Sequence, residues 1–179
     1  NNYFDSDSNL KVFFSEGIFM GYRYFDKSEV KPMFPFGFGL SYTTFEYSNL
    51  SLNSQQFSEQ LTATITVKNI GKVAGKEVVQ LYLSAPASKL DKPMVELKGF
   101  AKTRVLKPGD AQTLKFVISP RNLSSFDPAS SSWIAEAGKY EVKIGASSRD
   151  IRQTAEFDLD RELVVKKESV ALKPKVAIN

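Results

Sequence analysis

The stretch from Leu61 to Lys68, LTATITVK, decides the fold class of this 179-residue chain. Its apolar side chains occupy every second position, and threonines or a lysine stand between them. Successive side chains of a β-strand point to opposite faces, so this period of two predicts a strand with one buried and one exposed face.

Short apolar segments recur around this strand, and turn residues separate them. They are residues 77–83, 95–100, 103–106, 114–118, 140–144 and 151–159, with a further strand opened by Trp133. Tight turns are expected at 69–75 and 107–110, and a short helical turn at 122–126. Many short strands without a long amphipathic helix predict an all-β chain. The favoured architecture is an immunoglobulin/fibronectin type III-like β-sandwich over residues 44–160, and a jelly roll or small barrel is the alternative.

The segment 1–43 has a different composition. Of the 22 aromatic residues of the chain, 14 lie within the first 47 positions. Each such ring buries roughly 150 to 250 Å² in a core, and so short a segment cannot cover them by itself. We expect the rings to pack against a larger body, either the remainder of this chain or, as favoured here, another domain, because the remainder reads as a self-sufficient sandwich. Gly37 and Gly39, together with Pro35, are interpreted as bends in an aromatic linker rather than as a phosphate loop.

Composition excludes several kinds of chemistry. The chain contains no histidine and no cysteine, so thiol catalysis, Ser-His-Asp triads, disulfides and the common zinc sites cannot be built from it. We expect no cofactor and no metal site. No apolar run approaches the roughly 20 residues that cross a bilayer, so no membrane association is expected.

The formal net charge of +4 is concentrated at one end. Residues 161–179 carry five basic and two acidic side chains, which is +3 of the +4. We interpret 161–179 as a solvated basic tail, because no stacking aromatics accompany it, and we expect no nucleic-acid binding.

Carboxylates are the strongest remaining acid-base candidates. The local clusters are Asp5 with Asp7, Glu156 with Asp158 and Asp160, and Glu136 with Glu141. At such positions carboxylates usually face solvent, and that is the expectation for each cluster. Ser84, Ser88, Ser147 and Ser148 lack a histidine base, and a pairing of serine with Lys89 is the remaining route to a nucleophile.

Two further features have a structural and a functional interpretation. Trp133 is either a sugar-stacking platform or, as favoured here, the core tryptophan of the sandwich. Asn49 and Asn122 each begin a glycosylation sequon, which matters if the chain enters a secretory pathway.

Longer motifs resemble a known family. Residues 15–26, SEGIFMGYRYFD, and 34–43, FPFGFGLSYT, are similar to the signature that ends the second domain of glycoside hydrolase family 3 enzymes. The resemblance continues into the fibronectin type III-like domain of that family at residues 67–71, 75–82, 96–100, 106–109 and 145–151.

This resemblance implies a secreted, retaining, exo-acting β-glucosidase. Residues 1–43 would then be the terminal strand and linker of an α/β sandwich domain. In such enzymes the nucleophile and the acid/base belong to an upstream barrel and to the α/β sandwich domain, which bind the β-glucoside. No position here matches either catalytic motif, so no catalytic residue is assigned, and Glu16 is expected to be structural. The alternative is a stand-alone polysaccharide-binding or adhesion module.

Overall fold

The computed structural model describes residues 16–169. Within this range two short helices accompany ten strands. In chain order they are α1 (Tyr22–Lys27), β1 (Phe45–Leu52), β2 (Leu61–Asn69), β3 (Val78–Ser84), β4 (Glu96–Lys102), β5 (Ala111–Ile118), α2 (Pro120–Leu123), β6 (Ser125–Asp127), β7 (Ser132–Ala135), β8 (Gly138–Ser147), β9 (Asp150–Leu159) and β10 (Leu163–Lys167).

Two antiparallel sheets form a sandwich. One sheet has the strand order β1-β2-β5 and the other β4-β3-β8-β9. A third, smaller sheet has the order β10-β7-β6. The predicted all-β sandwich is therefore confirmed.

The period-two pattern of β2 determines its place in the sandwich. Leu61, Ala63, Ile65 and Val67 are completely buried, as the alternation predicts. On the opposite face, the hydroxyl of Thr66 forms a 3.0 Å hydrogen bond with that of a threonine directly opposite on β5. The strand thus contributes one face to the core and one to the surface.

Aromatic side chains fill the part of the core that lies between β8, β9 and the loop joining β1 to β2. The rings of Tyr140 and Phe157 stack with their centroids 5.3 Å apart, and Phe57 lies 6.1 Å from Phe157. All three residues are buried, and complete burial of such a side chain contributes about 1.5 to 3 kcal/mol. Phe57 comes from the loop between β1 and β2, so this packing holds the loop against β9.

Buried Asn69 organises the predicted 69–75 turn. Its side-chain nitrogen donates to the carbonyl oxygens of Val73 and Leu106, both at 2.8 Å. Its side-chain oxygen accepts from the Thr43 hydroxyl at 2.7 Å and from the Gly71 N–H at 3.0 Å. These four bonds satisfy the amide completely and attach the end of the 16–43 segment to the sandwich.

Three local predictions differ from the structure. The helical turn lies at Pro120–Leu123, and β6 follows it directly. Residues 103–106 form only an isolated bridge, between Leu106 and Gly75. The segment 161–179 is not a free tail throughout, because β10 pairs with β7; residues 170–179 lie outside the described part.

Candidate functional site

Strand β3 is buried on both faces, and the segment 16–43, here called the linker, covers the outer one. Gln80 and Tyr82 alternate with the core residues of β3, yet Tyr82 is 0% exposed. Its ring meets Tyr22 of α1 edge-on, at 6.1 Å between centroids. Tyr22 in turn stacks on Phe36 at 5.0 Å. Part of the linker's aromatic content therefore packs against the sandwich of the same chain.

Hydrogen bonds hold the linker to this sheet at three points. The Leu97 N–H donates to the Tyr22 hydroxyl, and the Ser148 N–H donates to the Phe36 carbonyl, both at 2.9 Å. The Gln80 amide nitrogen donates to the Gly37 carbonyl at 3.2 Å. Since strands β4, β3 and the end of β8 all contribute, the linker crosses the sheet.

Ion pairs add a second set of contacts around α1. Arg149 lies 3.1 Å from Asp26 and also donates to the carbonyl oxygens of Phe25 and Val30. Two further pairs join linker to sandwich, Arg23 with Glu96 and Lys27 with Asp91. Partly exposed pairs contribute roughly 0 to 1 kcal/mol each. Their role here is to fix the orientation of α1.

Burial also affects the Tyr82 phenol. Removal from water raises the pKa of Tyr82 above its ordinary value, which already keeps the phenol neutral at physiological pH. It donates to the Gln80 side-chain oxygen at 2.5 Å. Gln80 is thereby oriented with its nitrogen towards the linker.

The opposite side of the linker is exposed and apolar. Met33 is 89% exposed, Phe34 65% and Leu40 91%. We call the following residues the outer apolar face: Ile18, Met20, Tyr24, Val30, Met33, Phe34, Phe36, Phe38, Leu40 and Tyr42. So many exposed apolar side chains on one short segment indicate an interaction site. The rings of the linker are thus only partly sheltered by this chain's own sandwich.

The linker contains no strand among its described residues. Between 16 and 43 the structure has α1 and turns, and Glu16 opens a turn in which its carbonyl accepts from the Phe19 N–H at 3.0 Å. The terminal strand expected for the segment 1–43 is not found among residues 16–43, and residues 1–15 lie outside the described part. The division of the chain at residue 43 stays a prediction.

The structure contradicts the prediction that Glu136 faces solvent. It is 1% exposed, and one carboxylate oxygen accepts from the Lys92 ammonium at 2.7 Å. The other accepts from the Ser88 hydroxyl at 2.6 Å and from the N–H groups of Ser88 and Lys89. Glu136 thus anchors the loop between β3 and β4, which the spacing of carboxylates along the sequence could not indicate.

These bonds determine the charge of Glu136. Burial by itself would raise the pKa of Glu136, but the hydrogen bonds from Lys92, Ser88 and the Lys89 N–H outweigh it and lower the pKa to about 2. The carboxylate is therefore ionised at neutral pH and serves as a structural acceptor rather than as a proton donor.

Among the described residues of the other clusters, Glu141 and Glu156 lie directly opposite each other on β8 and β9, but each is bound to a lysine. Glu156 is exposed and pairs with Lys139, and Glu141 pairs with Lys143. Asp160 is exposed. Asp158 binds its neighbours through its backbone, accepting from the Phe57 N–H. Asp5 and Asp7 lie outside the described residues.

Three of the four serine candidates have hydroxyl partners, whereas the buried hydroxyl of Ser148 forms no hydrogen bond to the described residues. The Ser88 hydroxyl is bonded to Glu136, and Lys89 pairs with Glu162, so no Ser-Lys pair forms. The Ser84 hydroxyl donates to the Met94 carbonyl at 2.8 Å. Ser147 accepts from the Asp150 N–H, within the turn between β8 and β9. Ser148 contributes its N–H to the linker contact.

Trp133 is not the core tryptophan that the sequence favoured. It is 37% exposed and lies beside Phe126, with ring centroids 5.6 Å apart. Of its neighbours in β7, Ala135 is completely buried and belongs to the sandwich core, whereas Ile134 is buried outside that core cluster. The prediction that this tryptophan is buried in the core was therefore wrong, because β7 belongs to the small third sheet.

The two sequon asparagines have different environments. Asn49 is exposed at an irregular position of β1, with φ 58°. The Asn122 side-chain oxygen accepts from the N–H and hydroxyl of Ser119, both at 2.8 Å, and its nitrogen donates to the Lys98 carbonyl. Ser124 of the second sequon is buried.

The linker contacts include residues that sequence reasoning did not single out. No sequence pattern distinguishes Gln80, Arg149 and Asp26 from other polar residues. Only the fold brings them into the contact between linker and sandwich. The one available signal was Gln80 itself, a polar residue inside the otherwise apolar run 78–83. Among residues 16–169 the structure has no cluster of three potential metal ligands and no helix with the length and hydropathy to span a bilayer.

Comparison with known proteins identifies the fold family. Residues 77–148 match the family model described as a fibronectin type III-like domain. The chain is 44% identical over 152 residues to a β-glucosidase of Bacteroides ovatus, covering 84% of this chain and 20% of that protein. Thermostable β-glucosidase B of Acetivibrio thermocellus is 43% identical, with coverages of 79% and 19%. The structure of β-glucosidase 3B from Thermotoga neapolitana in complex with α-D-glucose gives a TM-score of 0.83 at 46% identity, over 88% of this chain and 21% of that one.

The chain matches the C-terminal, fibronectin type III-like region of glycoside hydrolase family 3 β-glucosidases. The resemblance found in the motifs is thereby confirmed. The chain spans about a fifth of the length of the curated relatives that it matches. In this fibronectin type III-like region, the linker and its outer apolar face form the candidate functional site.

Replacement of Glu136 by Gln is expected to destabilise the fold. The neutral amide leaves Lys92 buried without its counter-charge, and breaking a buried pair costs about 3 to 5 kcal/mol. The folded-state pKa lies below the ordinary value of 4.5, so the contribution is complete above that pH and is lost as pH falls through about 2. Urea unfolding at pH 7, 4 and 2 measures this difference.

The matched control for that measurement is Glu141→Gln. Its pair with Lys143 is part-exposed, and we expect a change below about 1 kcal/mol. Equal stabilities of the Glu136→Gln variant and the parent at pH 7 would contradict the role given to the buried pair.

Replacement of Gly37 by Ala is expected to loosen the linker. Gly37 has φ 81°, and an added Cβ would lie 2.2 Å from the Gln80 side-chain oxygen. A left-handed non-glycine residue costs roughly 1 to 2 kcal/mol, which corresponds to about 5- to 30-fold faster exchange of amides that open with the linker. Hydrogen exchange at the Ser148 and Leu97 N–H groups measures it.

Gly39→Ala is the control, because Gly39 has no positive φ and no atom within 4 Å of an added Cβ. Its exchange rates should equal those of the parent chain. If Gly37→Ala also leaves both amides unchanged, the linker does not depend on its contact with Gln80.

Proposed function

We propose that this chain is the C-terminal structural part of a retaining, exo-acting β-glucosidase that releases terminal β-linked glucose. In this proposal an upstream barrel and an α/β sandwich domain carry the catalytic residues and bind the β-glucoside. The chain braces those domains and contributes no catalytic group. The observation that supports the proposal most directly is the outer apolar face of the anchored linker.

The two sides of the linker suit a brace. The inner side is attached by three hydrogen bonds and by the Arg149–Asp26 pair. The outer side presents large apolar side chains such as Phe34 and Leu40 to solvent. Their contact with a neighbouring domain would remove that apolar surface from water, at about 25 cal/mol for each Å². Because the inner side is held, the neighbouring domain would acquire a defined position relative to the sandwich.

The chemistry of the described residues agrees with a non-catalytic role. Retaining glycosidases use two carboxyl groups about 5 to 5.5 Å apart across the sugar site. The buried carboxylate Glu136 is fully engaged with Lys92 and the 88–90 backbone. Assignment of the catalytic pair to other domains follows from the family resemblance.

The proposal is tested on the full-length protein with the double substitution Phe34→Asp and Leu40→Asp. Burial of each side chain is worth about 1.5 to 3 kcal/mol, so we expect separation of the sandwich from its neighbours and a lower melting temperature for the enzyme. Val117→Asp is the control, since Val117 is an exposed apolar residue of β5 on the other sheet. Unchanged melting and activity in the double variant would contradict the brace.

A second arm uses the 179-residue chain alone. We expect no hydrolysis of a chromogenic β-glucoside, because hydrolysis depends on the upstream domains. Turnover by the purified chain would show that it carries catalytic groups of its own.

We also propose that the enzyme is secreted and that Asn49 carries the glycan in a host that glycosylates. The support is the exposure of Asn49 on β1, compared with the hydrogen bonds that occupy the Asn122 amide. Expression in such a host and peptide mass spectrometry should find Asn49 modified and Asn122 free. Asn49→Gln should abolish the glycan, and modification at Asn122 alone would contradict the assignment.

A further inference from the structure

The third sheet carries a partly exposed aromatic pair. Trp133 is the central residue, and the register places Phe126 of β6 and Lys166 of β10 directly opposite it. Phe126 is 41% exposed, and its ring is inclined by 58° to that of Trp133. None of these residues belongs to the linker or to the outer apolar face.

A cavity of about 280 Å³ opens beside the Trp133 ring. It is lined by Arg121, Ser124, Trp133, Val165, Lys166 and Glu168. The cavity thus combines one flat aromatic surface with hydrogen-bonding groups of both kinds, donors on Arg121 and an acceptor on Glu168.

The polar groups of this cavity are already ordered. One Glu168 carboxylate oxygen accepts from the Trp133 ring N–H at 3.1 Å and from the Lys166 ammonium at 2.7 Å. The hydrogen bond from Lys166 lowers the pKa of Glu168, so the carboxylate is ionised at neutral pH. Lys166 and Glu168 neutralise each other, and the arrangement holds the indole ring in one orientation.

These properties select the chemical class of ligand. A β-linked glucose unit has apolar C–H faces and a rim of equatorial hydroxyl groups, which matches a flat ring flanked by donors and acceptors. An axial hydroxyl would place a polar group against the indole. Because Lys166 and Glu168 neutralise each other, a neutral ligand can approach this pair without an unpaired charge of its own, and Arg121 can donate to a hydroxyl group.

We propose that the cavity beside Trp133 binds a pyranose unit of a neutral β-linked gluco-oligosaccharide, with the sugar ring stacked on the indole and its hydroxyls bonded to Arg121 and Glu168. The choice of glucose units rests on the proposed function, whereas the site itself rests on the geometry of the third sheet. Such a site would hold substrate chains near the enzyme.

Trp133 is the only tryptophan of the chain, so its fluorescence reports directly on the site. Titration of the 179-residue chain with cellotetraose should give a saturable change in emission. Phe126→Ala retains the reporter and removes the neighbouring ring, and a contact of about 0.5 to 1.5 kcal/mol corresponds to about 2- to 10-fold weaker binding. Phe100→Ala is the matched control, because it removes an exposed aromatic of β4 outside the cavity.

Calorimetry with Trp133→Ala and Glu168→Gln completes the test. Both variants should bind cellotetraose more weakly than the parent, by at least about tenfold for Trp133→Ala. A β-linked galactotetraose, whose units carry an axial hydroxyl, should bind less tightly to the parent chain than cellotetraose.

The proposal is overturned if cellotetraose gives no saturable signal, or if Trp133→Ala binds as tightly as the parent chain. Preferred binding of the galactose oligomer would overturn the choice of glucose but keep the site. The brace is tested by melting of the full-length protein and does not involve Trp133, so the two proposals can fail separately.

Discussion

The burial of β3 on both faces is the constraint on which the rest of the structure depends. Its inner residues enter the sandwich core, and its outer residues Gln80 and Tyr82 are covered by the linker. A polar group buried without a partner costs about 1 to 3 kcal/mol. The sandwich itself supplies partners, because Tyr82 donates to the Gln80 side-chain oxygen and Gln80 donates to the Ala146 carbonyl. The linker adds the Gly37 carbonyl as a second acceptor for Gln80 and covers Tyr82 with the ring of Tyr22.

The same requirement explains the loop between β3 and β4. Glu136 is withdrawn from water, and it is stable there because five hydrogen-bond donors converge on its two oxygens. The loop in turn carries Asp91, which pairs with Lys27 of the linker. The buried carboxylate of Glu136 thus holds in place a loop that also forms an ion pair with the linker. Positioning of the outer apolar face is a property of the whole sheet rather than of the linker alone.

The two proposed functions use different consequences of the fold. The brace depends on the outer apolar face of the linker, whose side chains stay exposed although neighbouring linker side chains pack against the sandwich. The carbohydrate site depends on a small third sheet, whose tryptophan is partly exposed although Ala135 of the same strand lies in the sandwich core. In both cases an exposed ring is held in a fixed orientation by polar contacts beneath or beside it. Fixed orientation is what separates an interaction surface from a scattered exposed residue.

The sequence by itself determined the strands and their inward faces, because alternation along LTATITVK or the apolar run of β3 depends only on the local backbone period. It also indicated that the linker packs against a larger body, since the apolar area of its aromatic rings can be estimated from the sequence alone. Only the tertiary structure decided that Glu136 is buried, that Trp133 is exposed, that residues 163–167 add a strand, and which rings of the linker stay uncovered. Those outcomes depend on pairing between residues distant in the chain, such as Lys92 with Glu136 or β10 with β7, and no local period encodes which distant residue will cover a side chain.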